Sequence, residues 1–114
     1  MRILYANGAR YVGQYSDSMR TGEGIMTAAN GEKYDGQWIE DKKSGIGTQW
    51  WPNGRKYAGE WKEGKRNGKG VDKWATGEKY VGGFKNNQRS KYGVFTWPNK
   101  QKYEGYWLQN TYHG

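Results

Sequence analysis

The chain has 114 residues, with one histidine, His113, and no cysteine. That inventory cannot assemble a Cys/His metal cluster or a nucleophilic triad. The absence of cysteine excludes disulfides and thiolate metal sites and leaves the redox compartment open. His113 stands beside the C-terminus, where a frayed tail suits it better than the role of a catalytic base. The eleven carboxylates fall mostly in loops or beside Gly and Lys, whereas glycosidase chemistry needs a pair held about 5–9 Å apart in a cleft. Glu32 and Glu78 share one place in a repeat, but Arg55 shares it too, which reads as a solvated turn flank. Gly-x-Gly runs such as Gly45–Gly47 lack a following helix and a Gly-Lys-Ser/Thr ending, so they read as hairpin geometry rather than phosphate loops. No catalytic residue, metal site or cofactor is expected.

What remains for chemistry is two ladders of side chains. The aromatic ladder joins Trp38, Trp61 and Trp107 to Trp51, Trp74 and Trp97. Most of these rings are expected to pack repeats together. A single-layer sheet cannot hide both faces, however, so some should stay open to anchor a partner. The basic ladder has two rows, Arg10, Lys33, Lys56, Lys79 and Lys102, and, placed in a loop, Arg20, Lys43, Arg66 and Arg89. Cations at a fixed place in a repeat form a stripe that suits an anionic partner. A solvated Lys-rich face that deters edge-to-edge aggregation is the plainer reading of the same residues.

The elements that position these ladders follow from a repeat. Counting from tyrosine, units of 23 residues cover 11–33, 34–56, 57–79 and 80–102, with a partial unit at 1–10 and another at 103–114. Position 1 is Tyr11, Tyr34, Tyr57, Tyr80 and Tyr103; position 3 is always Gly; position 5 is Tyr15, Trp38, Trp61, Phe84 and Trp107. This alternation puts Tyr, Gly and ring on one face of a strand and Lys33, Asp35 and Gln37 on the other. Glycine between large rings implies close packing or a bend. Asn-Gly then suits a two-residue hairpin turn with both φ values positive. Each unit therefore reads as a strand, a loop of about five residues around the Gly pair, a second strand and a tight turn. Successive units step by about 10 Å. The expected fold is all-β: one single-layer, curled antiparallel meander of hairpins with about ten strands, almost no helix, and one domain over 1–114. The fourth unit is irregular, because Lys91 and Lys100 stand where the others have Gly. A side chain at positive φ there costs about 1 kcal/mol, which makes it the expected weak link.

The segments Tyr57–Gly70 (YAGEWKEGKRNGKG), Tyr34–Gly47 and Tyr11–Gly24 resemble the MORN (membrane occupation and recognition nexus) repeat. The fourth unit is a degenerate copy, and the likeness covers nearly the whole chain. It implies an elongated sheet of successive hairpins, curled so that aromatics line a groove. It also implies scaffolds, dimerising rods or accessory modules of enzymes, with acidic-phospholipid binding attributed to some members and no catalytic residues.

A net charge of +8 favours acidic partners. Leu, Ile, Val and Phe make up only about a tenth of the chain, which would suit disorder. The register of the seven Trp and ten Tyr argues against that, because a disordered chain has no reason to keep register. No apolar run suits a membrane span or signal peptide, so a soluble intracellular protein is expected. Three functions compete. The first is a protein-binding rod acting as scaffold, adaptor or occluding inhibitor on an acidic or extended partner, with a homodimer through the uncapped chain ends as one option. The second is peripheral attachment to anionic phospholipid membranes through the basic stripe, and the third is single-stranded nucleic acid.

Overall fold

Eleven strands follow one another in space as they do in sequence, forming a single antiparallel sheet ordered β1 to β11. A computed structural model describes residues 1–112. The strands are β1 (Arg2–Leu4), β2 (Arg10–Ser16), β3 (Met19–Thr27), β4 (Lys33–Ile39), β5 (Lys42–Trp50), β6 (Lys56–Lys62), β7 (Lys65–Lys73), β8 (Lys79–Lys85), β9 (Gln88–Thr96), β10 (Lys102–Leu108) and β11 (Thr111–Tyr112). The expected count of about ten is exceeded by the two-residue β11. No helix occurs among the described residues.

The molecule measures 46 × 24 × 17 Å. Ten interstrand steps of about 4.8 Å account for the long dimension. A flat single layer has a backbone only a few ångströms thick, so the depth means that the sheet coils and its strands bend. The bend follows a row of paired glycines, including Gly36↔Gly47, Gly47↔Gly59 and Gly59↔Gly70. There the tyrosine rings lie directly on the backbone. A Cβ added to Gly70 would fall inside the contact radii of Tyr57 Oη, Cε1 and Cζ. Tyr11, Tyr34, Tyr57 and Tyr80 are consequently almost fully buried, although no second layer covers them.

The two kinds of hairpin loop are interchanged relative to expectation. The tight two-residue turn lies at positions 7 and 8, where both residues have positive φ: Glu40 (46°) and Asp41 (68°), Asn86 (50°) and Asn87 (71°). The expected five-residue loop around the Gly pair is absent, because those glycines belong to the nine-residue strands β3, β5 and β7. The Asn-Gly segment forms the longer turn. Gly54 N–H donates to the Trp51 carbonyl at 3.0 Å and Trp51 N–H to Arg55 at 2.9 Å. Only Gly54 has positive φ there, at 92°, the pattern of a type I turn followed by a left-handed residue. Pro52, which suits the second position of such a turn, was the available signal. In the fourth unit, Lys91 (φ 62°) and Lys100 (φ 71°) adopt the left-handed conformation that glycine would favour.

Candidate functional site

On one face of the sheet, which we call inner, aromatic residues form a continuous edge-to-face ladder. Tyr11, Tyr34, Tyr57 and Tyr80 each meet the position-5 ring of their own unit and that of the next. Tyr34 lies 5.0 Å from Trp38 and 5.4 Å from Trp61, and Tyr57 lies 5.1 Å from Trp61 and 5.0 Å from Phe84, all near perpendicular. Trp38 Nε1 and Trp61 Nε1 donate across to the Gly24 and Gly47 carbonyls, each at 3.0 Å. Trp38, Trp61 and Trp107 are buried by these contacts. Trp51, Trp74 and Trp97 are half-buried against the same core. Trp38, Trp61 and Trp107 thus pack the ladder, and Trp51, Trp74 and Trp97 lie against it with part of each ring exposed.

The second basic row also belongs to this face. Arg20, Lys43, Arg66 and Arg89 lie within strands β3, β5, β7 and β9, not in a loop. Alternation from the buried position-1 and position-5 rings points each cation inward, over two rings for Lys43 and Arg66 and three for Arg20 and Arg89. Lys43 Nζ is 5.2 Å from Tyr34 and 5.1 Å from Trp61, and Arg66 is 5.7 Å from Tyr57 and 5.3 Å from Phe84. Their aliphatic stems and cationic heads cover the rings from solvent. Burial lowers the pKa of both Lys43 and Arg66. Burial likewise raises the Tyr34 and Tyr57 phenols well above their ordinary value and pushes Tyr80 up to about 12.

Three inner-face features depart from the sequence reading or are missing from it. Asp72, 1% exposed, takes both Arg55 (3.0 and 2.6 Å) and Arg66 (2.8 Å). Arg55 in turn lies between Trp51 and Trp74, 5.0 Å from each ring; it is therefore a structural cation and not a solvated turn flank. The turn residues at position 8 staple neighbouring units. Asp41 Oδ1 accepts the Arg20 backbone N–H at 2.8 Å and Asn87 Oδ1 that of Arg66 at 2.9 Å. The first of these bonds, with the Arg20 guanidinium, holds the Asp41 carboxyl below the usual carboxylate range. Asp or Asn recurring at one repeat position was the signal for the staple, since both tolerate positive φ and accept hydrogen bonds.

The outer face carries the first basic row. Arg10, Lys33, Lys56, Lys79 and Lys102 are all exposed and stand in one line across the sheet. The register adds Lys73, which opposes both Lys56 and Lys79, so three lysines stand on adjacent strands. Trp50 lies between Lys33 and Lys56, 5.2 and 5.7 Å from their amines. Lys102 pairs with Glu104 at 2.9 Å. Beside this row the strand bend makes the outer face concave. A trough of about 1110 Å³ spans β6 to β9, floored by Ala58, Val71 and Val81.

No group of three or more His, Cys, Asp or Glu able to hold a metal ion occurs among the described residues. The buried carboxylate Asp72 is occupied by two arginines, and His113 lies outside the described residues. No described helix is long and apolar enough to cross a membrane.

A linear stack of β-hairpin units, each burying its rings only against its neighbours, defines a solenoid-type repeat protein. The family model for the MORN repeat matches residues 11–33, 34–54, 57–79, 80–102 and 103–114, and the chain belongs to the MORN repeat family. Repeats of this family are commonly protein- or membrane-binding modules and typically non-catalytic. A comparison with curated proteins gives no match.

Proposed function

We propose that this chain is a non-catalytic protein-binding module that presents its outer face to a partner. The observation that carries this reading is the division of labour between faces. The inner rings and cations are consumed in holding units together, while the outer face keeps a row of exposed cations beside a concave, partly apolar surface. Scaffold, adaptor and occluding inhibitor all use such a face, and self-association is read directly from the mass in solution. The test is affinity capture on the immobilised chain, with Lys56→Glu/Lys73→Glu/Lys79→Glu as the comparison. Loss of a defined partner in the variant supports the reading. Wild-type chain that retains no protein at physiological salt refutes it.

Peripheral binding to anionic membranes is the second reading, supported by the exposed lysine row. Each cation brought near such a surface contributes about 1 kcal/mol. Co-sedimentation with phosphatidylserine vesicles that disappears in high salt supports it; equal sedimentation of the triple variant refutes it. The nucleic-acid reading has less support, because base stacking needs open rings and Trp38, Trp61 and Trp107 are buried.

A further inference from the structure

The outer cationic row has a fixed pitch. In-register pairing carries it across the sheet: Lys33 opposes Trp50, Trp50 opposes Lys56, Lys56 opposes Lys73 and Lys73 opposes Lys79. Arg10 on β2 and Lys102 on β10 extend it at either end. The position-23 cations thus recur on every second strand, about 9.6 Å apart at about 4.8 Å per strand. Lys102 is taken by Glu104. Among the described residues no ion pair takes Arg10, Lys33, Lys56, Lys73 or Lys79. Like charges directly opposite on neighbouring strands are destabilising, so Lys56, Lys73 and Lys79 side by side favour an anion laid across them. The row is also partly preset. Trp50 stands where the first and fourth units have Thr27 and Thr96, and the Lys33 and Lys56 amines lie 5.2 and 5.7 Å from its ring. Amines held against a ring lose less freedom when a ligand binds. Two residues along the strands, Thr48, Ala58, Val71 and Val81 form a parallel row without charge.

We infer that this row binds an acidic segment of a partner protein in the polyproline II conformation, laid across the strands with a carboxylate at every third residue. Charge complementarity selects an acidic segment, and the pitch selects its conformation. A polyproline II helix has three residues per turn at about 3.1 Å each, so every third residue returns to the same face after about 9.3 Å. Against the row it falls out of step by only about 0.3 Å per repeat, or about 1 Å from Arg10 to Lys79. A β-strand presents same-face residues about 6.7 Å apart, and an α-helix comes nearest at seven residues, about 10.5 Å. These miss the row by about 3 Å and about 1 Å at every step. The residues between the carboxylates lie beside the uncharged row, which suits proline. This inference rests on the protein-binding reading and names the partner segment that the lysine row recognises.

The test uses the full chain and two fluorescently labelled peptides of one composition. The first consists of four Glu-Pro-Pro triplets; the second has the same four Glu clustered at one end of the prolines. Fluorescence anisotropy at low salt should show saturable binding of the triplet peptide. The clustered peptide should bind at least about tenfold more weakly, because it cannot form two or more of the exposed ion pairs. Lys56→Gln/Lys79→Gln should lose about tenfold for the triplet peptide. Both side chains are exposed, so circular dichroism should show the fold intact. Trp50→Thr, which installs the residue of the first and fourth units, should lose about threefold with every cation in place. Absence of saturable triplet binding, or unchanged affinity in the folded lysine variant, overturns the inference. Equal affinity for the clustered peptide, or for an oligonucleotide of the same net charge, overturns it too, since binding then follows charge alone. If the peptides fail while Lys56→Glu/Lys73→Glu/Lys79→Glu still loses the captured partner, the polyproline II assignment falls and the protein-binding reading stands.

Discussion

Gly70→Ala isolates the contact on which the repeat depends. Gly70 has no positive φ to complicate the substitution, but its new methyl group would enter the Tyr57 ring. That ring has little room to move. Its hydroxyl donates to the Glu60 carbonyl at 2.9 Å. Its faces and edges meet Trp61 at 5.1 Å, Phe84 at 5.0 Å and Arg66 at 5.7 Å. Overpacking of a core costs about 1–3 kcal/mol, and so constrained a ring places the cost near 3. Alanine recovers about 0.5–1 kcal/mol by restricting the unfolded chain. The net loss is about 2 kcal/mol, or about 8 °C in Tm at roughly 4 °C per kcal/mol. Urea unfolding followed by tryptophan fluorescence measures it, with an unchanged m-value showing that stability alone has moved. Gly64→Ala is the control: it has open space around it but φ of 82°, so it should cost only the backbone term of about 1 kcal/mol. If Gly70→Ala stays within about 0.5 kcal/mol of wild type, or costs less than Gly64→Ala, close packing of tyrosine on glycine is not what holds the units together.

Asp72→Ala should destabilise by about 3 kcal/mol in the same assay, because it leaves Arg55 and Arg66 partly buried without their shared carboxylate. Lys100→Gly should raise stability by about 0.5 kcal/mol, the relief of a left-handed side chain (φ 71°) set against the added freedom of the unfolded chain; a lower Tm would contradict it. Alkaline titration should show a steep loss of stability. The folded state keeps the phenols of Tyr34, Tyr57 and Tyr80 protonated above the ordinary value of 10.0. The unfolded chain therefore binds fewer protons there, and stability that is fully present below pH 10 falls as pH rises toward about 12 and beyond. Tyrosinate absorbance from these residues should develop together with the loss of circular dichroism, and its appearance in the intact fold would contradict their burial.

The repeat period, the strand pattern and the face assigned to each position-1 tyrosine are legible from local alternation, and the register of β4 with its neighbours agrees with them. The loops were not legible in the same way. Asn53-Gly54 resembles the commonest two-residue turn, yet the longer turn forms with Pro52, Ala29 or Ala75 at its second position alike, while Glu40-Asp41 takes positive φ at both residues without glycine. In sequence, position 10 reads as a loop, since the Gly pair beside it resembles a turn. Those glycines instead extend the strand through a bulge and carry the cation onto the inner face. Asp72 was beyond reach, because its two arginines lie 17 and 6 residues away and only the pairing of β6 with β7 brings all three together.

The sequence alone determined the all-β architecture, the neighbour-to-neighbour stacking and the family, because each rests on a period of two or of 23 that any single unit displays. Only the tertiary structure decided which of the repeated cations are exposed and which are spent covering rings, since that depends on the side to which a bent strand turns its alternate residues. It also decided where the outer face becomes concave. That depends on four neighbouring strands at once.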